Sequence, residues 1–420
     1  MKIQIQHSAF GIPIKCHKDA SSKLLHHSKR DAGYKLWQTK VIIWDESSMI
    51  HCFQFNCVYK LFKELAVRWF PANSRLPFGG KIVIIGGDFR QILPVVSLRN
   101  ESEIKKCIIK SSSTFQHFET CFLTVNQRTN ADEVKFIQWL KKVGDGTANL
   151  KDNPNFIEIP DKFIVANDNS PEESMKFFRS IYDTEVLNDP KKLSGRAILS
   201  SINEDSLKIN NLILEMLEGD EVKYLSADSD SGAEEQKQIY SDEFSNSLTP
   251  SGVPPHELRL KVGAIVILLR NINIHKRQVN GARLIVHSLH QHFITCKMLN
   301  PVSDKDSDVY VSLSRFVFDN DDHKLPFTLI RKQIPVRLAY AMTINKSQGQ
   351  TFDMIGLWLH REVFAHGQLY VALSRVRSES GIKIALTRED LTKPAITQNI
   401  VYKSLLTKAV NGMEHRNNDY

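Results

Sequence analysis

Val41-Ile42-Ile43-Trp44-Asp45-Glu46-Ser47-Ser48-Met49 is the stretch on which the reading of this chain turns. An apolar run stops at two adjacent carboxylates. Such a run fits a strand of a parallel sheet, buried on both faces. The carboxylates then stand at the strand's carboxyl end, where open α/β sheets hold their ligands. Neighbouring acids repel, and a magnesium ion carrying nucleotide phosphates would relieve the repulsion. Asp45 would hold the ion, and Glu46 would orient or deprotonate an attacking water. Asp-Glu also ends ordinary strands in a polar turn, so the rest of the chain has to decide.

Two further segments repeat the pattern. Lys81 to Ile85 reads as a second buried strand that runs into Gly86-Gly87-Asp88-Phe89-Arg90-Gln91-Ile92-Leu93-Pro94-Val95. Glycines let the backbone turn sharply there, and Gln91 can donate and accept, which suits it to sense a phosphate or a water. Phe122-Leu123-Thr124-Val125 reads as a third strand, followed by Asn126-Gln127-Arg128-Thr129. Helical periodicity covers 53–70 and 131–143. Upstream, Ile3 and Ile5 alternate with polar residues as in a short strand, and His7, Ser8 and Phe10 follow in a loop. Residues 144–195, rich in Asn, Asp, Pro and Lys, read as the way out of a first domain.

Arg196–Ser200 begins a new strand, with Asn203 placed to cap a helix reaching about residue 218. Residues 226–247 are acidic and Ser-rich and read as a solvated loop. From Leu258 the period becomes strand-like through 258–261, 264–269, 283–289, 293–298 and 309–313, with a tight turn at Asn280-Gly281. That pattern predicts a small β-barrel inserted between αβ elements. The αβ pattern resumes at Val336–Met342. Thr343-Ile344-Asn345-Lys346-Ser347-Gln348-Gly349-Gln350-Thr351 is placed to open a helix, where amides and a cation can meet a phosphate together. Ile355–Leu359 and Ile382–Leu386 read as strands, and 366–376 as a helix carrying Arg375.

Hydrophobic residues at 42% and charged residues at 24% fit a globular chain of two or three domains. A net charge of +8 and a pI near 9.0 permit a polyanionic partner without demanding one. The 6 Cys form no Cys-x-x-Cys pair, which argues against a zinc site or a disulfide framework. His287, His290 and His292 cluster near a strand without matching Cys or acids, so no metal is expected there. No apolar run is long enough to span a bilayer, and 1–10 hold no signal core. The expected setting is a reducing compartment inside the cell.

Taken in order, these segments resemble the Pif1-like helicases, including their Helitron-type branch. The resemblance rests on His7-Ser8-Ala9-Phe10, the Asp45-Glu46 strand, Gly87 to Val95, Asn126 to Thr129, Leu260-Lys261-Val262-Gly263-Ala264, Asn345 to Thr351, and Gln368-Leu369-Tyr370-Val371-Ala372-Leu373-Ser374-Arg375. It covers nearly the whole chain. It implies an α/β fold of two RecA-like domains of the P-loop NTPase type with a small SH3-like barrel inserted in the second. The first domain would be 1–150, the second 151–257 with 334–420, and the insert 258–333. It also implies an ATP- and Mg2+-dependent enzyme that moves 5′ to 3′ on single-stranded DNA and unwinds duplex at junctions. Repair, recombination and telomere maintenance would be its settings, in the nucleus or, alternatively, the mitochondrion. A monomer is expected.

Carried over by position, Asp45 is the magnesium residue, Glu46 the water residue and Gln91 the γ-phosphate sensor. Arg128 and Arg375 are arginine fingers, and Gly349 also lies in a nucleotide-binding segment. His7, Phe10, Thr343, Lys346, Ser347 and Gln348 fall in DNA-contacting segments. One feature departs from the family. Its P-loop, Gly-x-x-x-x-Gly-Lys followed by Ser or Thr, is not in these 420 residues. Gly80-Lys81 precedes a strand, whereas a P-loop follows one and opens a helix. The expectation is therefore a member truncated at its N-terminus and inactive as it stands. The alternative is a non-catalytic nucleic-acid-binding remnant. A third reading, a P-loop GTPase or similar switch, is disfavoured by the two arginines and the inserted barrel.

Overall fold

Val41–Trp44 form a strand (β1) and Ile82–Ile85 a second (β2), paired in parallel from Val41↔Ile82 to Trp44↔Ile85. The computed structural model describes residues 9–13, 16–26, 30–96, 100–231, 242–250, 252–274, 276–299, 309–320 and 328–406. Cys52–Trp69 (α1) connects the two strands, as a parallel pair requires. Its Phe55, Val58, Leu61, Phe62 and Leu65 are buried in one cluster with Ile42 and Trp44. The strands stop at one edge. The Ser47 amide donates to the Gly86 carbonyl at 2.8 Å, and the Gly86 amide to the Trp44 carbonyl at 2.9 Å. A Cβ on Gly87 would come within 2.5 Å of the Ser47 hydroxyl, so this close approach needs glycine.

Two expectations fail here for one reason. β1 is buried on one face only and β2 is half-buried on that face: Val41, Ile43, Ile82 and Ile84 point outward, and Ile43 is 61% exposed. Phe122–Thr124 forms no strand, and Leu123 is fully exposed. An aliphatic run becomes a doubly buried strand only where neighbours supply a hydrogen-bonded ladder and a second covering layer. Among the described residues this sheet has two strands and nothing over its outer face.

The second domain is fuller. Ile164–Ala166 (β3), Arg196–Ser200 (β4), Ala341–Thr343 (β5), Met354–Trp358 (β6) and Ile382–Ala385 (β7) form a parallel sheet in the order β5-β4-β6-β7-β3. Residues 144–195 are thus more than a way out of the first domain: they supply β3 and the helix Pro171–Ile181, whose Phe177 and Phe178 pack on Trp358. The helix Asn203–Met216 is capped by Ile202, not Asn203. Arg337 Nη1 donates to the Asn203 amide oxygen at 2.8 Å, which takes that side chain away from the cap.

The β-rich insert follows the expected strands closely. Ile265–Leu268, Arg283–Leu289, Phe293–Met298 and Tyr310–Ser314 run as an antiparallel meander, joined by Val336–Leu338. A second sheet pairs Phe316–Asn320 with Thr328–Gln333 and draws in Ala227–Ser231, part of the stretch read as a solvated loop. The reason is Arg331. It is fully buried, and Asp228 on that strand is its counter-ion.

The chain then returns to the first domain. The Lys110 ammonium donates to the Leu405 carbonyl at 2.8 Å, and Leu405 packs with Leu93 and Ile108. Among the described residues no helix is long and apolar enough to cross a membrane.

Candidate functional site

β1 delivers its two acids into a strained turn. Glu46 sits at φ 53°, ψ 38°, a left-handed conformation that a non-glycine residue rarely adopts. Two bonds hold it there: the Glu46 amide donates to Asp45 Oδ1 at 2.8 Å, and the next amide is tied to Gly86. The turn throws the Glu46 carboxylate out over the end of β2.

The loop after β2 is braced from both domains. Asp88 Oδ1 accepts from the Arg90 amide at 3.0 Å, and Arg90 Nε meets Asp145 at 2.6 Å. Tyr370 of the second domain donates to Asp88 Oδ2 at 3.2 Å, and burial raises its phenol pKa. His366 lies 2.8 Å from the Phe89 carbonyl through Nε2 and accepts the Tyr402 amide through Nδ1 at 2.9 Å, which fixes its tautomer as Nε2–H. Gly367, at φ 71°, lies so close that an added Cβ would sit 2.2 Å from the Arg90 carbonyl oxygen.

Across this seam Gln348 reaches into the first domain. Its Nε2 donates to Glu46 Oε2 and to Gln91 Oε1, both at 2.9 Å. Arg375 is buried beside them. Its guanidinium donates to the Val371 carbonyl at 2.8 Å, the Gln350 carbonyl at 3.3 Å and the Ser374 hydroxyl at 2.8 Å. Burial pushes its pKa down to about 10; the nearby Arg128 charge adds to this and Glu46 opposes it. Arg128 donates to the Ser374 carbonyl at 3.3 Å and lines an open cleft of about 290 Å³ with Gln127, Thr351 and Arg377. Gly349, at φ 78°, leaves room above the Glu46 carboxylate. Asp45, Glu46, Gln91, Arg128, Gly349 and Arg375 therefore gather at one inter-domain site, although they are spread over 331 positions of sequence.

The residues expected to touch DNA do not stay together. His7 lies outside the described residues. Phe10 is a core residue: its ring lies 5.2 Å from Trp44 and 6.2 Å from Phe62, and it has no free face for a base. Phe10→Ala is expected to lower unfolding stability by about 3 kcal/mol in a urea titration, the range for a large buried aromatic. The reason for the correction is the aromatic neighbours that α1 brings, which the loop's own sequence does not show. Ser347 is buried with its hydroxyl on the Ile344 carbonyl at 2.7 Å. Gln348 belongs to the acid site. Thr343 and Lys346 remain together, beside Arg337. The helix they open is one turn, Ile344–Ser347, too short to present the row of free amides expected of it. Sequence reasoning missed Tyr370 and His366 as inter-domain braces. Both lie in polar positions of an otherwise apolar segment, which was the available signal.

Among the described residues no three His, Cys, Asp or Glu side chains come close enough to hold a metal ion by themselves. A cation here would depend on Asp45, with Glu46 beside it, and on ligands that a substrate brings. Magnesium accepts that arrangement, since it is commonly held by one or two carboxylates together with phosphates and water.

Comparison with known proteins gives a consistent picture. The family model described as PIF1-like helicase matches residues 2–154, and one described as DNA helicase Pif1, 2B domain, matches 243–289. The ATP-dependent DNA helicase Pif1 of Bdellovibrio bacteriovorus is 28% identical over 380 residues, covering 90% of this chain and 73% of that protein. The ATP-dependent DNA helicase PIF1 of Rattus norvegicus is 27% identical over 350 residues, covering 82% of this chain and 46% of that protein. The chain thus spans less than half the length of that mammalian relative. Among solved structures, Bacteroides Pif1 bound to ssDNA superposes with a TM-score of 0.59 at 23% identity, covering 95% of this chain and 80% of that one. Pif1 helicase from Bacteroides in complex with ADP-AlF3 and ssDNA gives 0.61 at 24%, covering 90% and 78%. At these identities the structures speak for the shared fold.

Proposed function

We propose, from its similarity to the PIF1-like helicases, that this chain is the two-domain body of an ATP-dependent DNA helicase that moves 5′ to 3′ on single-stranded DNA and opens duplex at junctions. The observation that carries the proposal is the meeting of Glu46 and Gln91 from one domain with Gln348 and the buried Arg375 from the other. A site split across two domains works only when they close. Closure and opening on a bound strand is how nucleotide chemistry becomes movement.

Each residue has a separable task. Asp45 would hold magnesium. Glu46 takes a proton from the attacking water, Gln91 reads the phosphate, and Arg375 and Arg128 stabilise charge that develops in the transition state. ATP and magnesium supply the transferable phosphoryl group and its charge neutralisation. The proposed units are 1–150, then 151–257 with 334–420, and an SH3-like insert at 258–333. A monomer in the nucleus, or in the mitochondrion, serving repair, recombination or telomere maintenance is the setting we propose.

Lys346 is the proposed anchor for a DNA phosphate, with Thr343 beside it. Its ammonium is half-buried next to Arg337 and has no ion-pair partner among the described residues. Burial, helped by Arg337, pushes its pKa down to about 8. A phosphate restores the charged form, so binding takes up a proton above that pH. Affinity for oligothymidylate should therefore fall as pH rises through about 8, and fall with salt. Lys346→Ala should remove the pH step and reduce the salt slope by about one phosphate contact. Anisotropy over both series is the test; an unchanged pH step and slope in the folded variant would remove Lys346 from the DNA site.

A second reading is a nucleic-acid-binding remnant without catalysis, in which Lys346 and Thr343 beside Arg337 would bind the strand and the acid site would be idle. ATP hydrolysis by the chain supplied with a P-loop segment separates the two.

A further inference from the structure

Resting on that reading of the inter-domain site, we propose that Gln348 is a positioning residue that sets the hydrogen-bond polarity of both Glu46 and Gln91 and makes the catalytic arrangement conditional on domain closure. The argument begins with what each group can do. An ionised carboxylate only accepts hydrogen bonds. Glu46 Oε2 lies 2.9 Å from the Gln348 amide, so Gln348 must present its nitrogen there. The same nitrogen is 2.9 Å from the Gln91 amide, so Gln91 must present its oxygen. Gln91 is then left with its NH2, a donor suited to a phosphate oxygen. Without Gln348 a side-chain amide can rotate end for end and offer either group. The negative charge on Glu46 thus dictates the orientation of Gln91 through Gln348.

A second observation separates this from ordinary packing. The Gln348 oxygen is buried and has no hydrogen-bond partner. A side chain placed for stability alone would satisfy both ends of its amide, because an unmet buried acceptor is unfavourable. Here the carboxylate holds the nitrogen inward and leaves the oxygen unmet. The residue is also two positions from Lys346, on the single turn Ile344–Ser347 and its exit. A strand that moves that turn moves Gln348 relative to Glu46.

Amide hydrogen exchange on the full chain without nucleotide tests the polarity. Gln348→Glu places a second carboxylate against Glu46, and exchange in segments 86–91 and 348–353 should rise about tenfold. Adding Glu46→Gln should restore protection to within about twofold, because the new carboxylate now accepts from amides on both partners. Circular dichroism checks that each variant is folded, and Gln348→Ala gives the loss of contact without repulsion. Persistent exposure in the double variant, or no change in Gln348→Glu, would overturn the proposal. The readout needs no ATP. Failure of hydrolysis alone would count against the helicase reading, and failure of the rescue alone against Gln348.

Discussion

Saturated with single-stranded DNA, this 420-residue chain is expected to hydrolyse ATP at background rate, and to gain DNA-stimulated turnover when a family P-loop segment is joined ahead of residue 1. The reason is chemical. Glu46, Gln91, Arg128 and Arg375 address the water and the γ-phosphate, but the P-loop amides and lysine that cradle the β- and γ-phosphates have no counterpart in this sequence. Turnover of the joined protein should be within tenfold of an ordinary enzyme's rate of about 10 per second. In it, Arg375→Ala should cost about a thousandfold in kcat, the lower range for an arginine finger. Nucleotide affinity should change less, because the guanidinium meets charge that grows in the transition state. The added segment should also raise Tm if it covers Val41, Ile43, Ile82 and Ile84. Steady-state kinetics decides the matter. Several turnovers per second from the unmodified chain, abolished by Glu46→Gln, would sink the first expectation; a loss under tenfold in Arg375→Ala would remove that residue's role. Translating the genomic sequence upstream of Met1 offers an independent check for an in-frame P-loop.

Arg331→Met is expected to destabilise the chain by about 3–5 kcal/mol, the range for breaking one side of a buried ion pair. Arg331 is fully buried and carries six hydrogen-bond contacts: three to the Asp228 carboxylate and one each to the carbonyls of Leu248, Pro254 and Ser245. Removing it leaves Asp228 nearly buried, with the Ser226 hydroxyl donating to Oδ1 at 2.6 Å and His256 3.7 Å from Oδ2. It also frees the carbonyls of Ser245, Leu248 and Pro254 from the sheet. Replacing Asp228 as well with Leu should recover part of the loss, since the unpaired charge goes too. A double-mutant cycle by urea unfolding measures the coupling. A single-variant loss below 1 kcal/mol would show that the pair does not hold the insert together.

Where the signal is local, the residues alone were enough. The helix at Cys52–Trp69, the strands at 196–200, 283–289 and 293–298, and the motif loops at Asp45-Glu46 and Gly87–Gln91 were all legible. Periodicity, glycine and adjacent acids act within a few residues. The motif order, through the family it resembles, also implied a shared site for Glu46, Gln91 and Arg375.

Other features depend on neighbours remote in sequence and emerge only in the folded chain. Phe122–Thr124 has strand composition but no ladder, so it is not a strand. Phe10 looks like a stacking residue in a loop until Trp44 and Phe62 enclose it. Ala227–Ser231 reads as solvated until Arg331, 103 positions from Asp228, needs its carboxylate. Gln348 shows the rule most plainly. Its motif places it among DNA contacts, two residues from Lys346, yet the domain seam turns its amide onto Glu46 and Gln91, 302 and 257 positions away. Local sequence fixes which groups a segment can offer. Only the closed fold fixes which partner is near enough, in a medium dry enough, to take them.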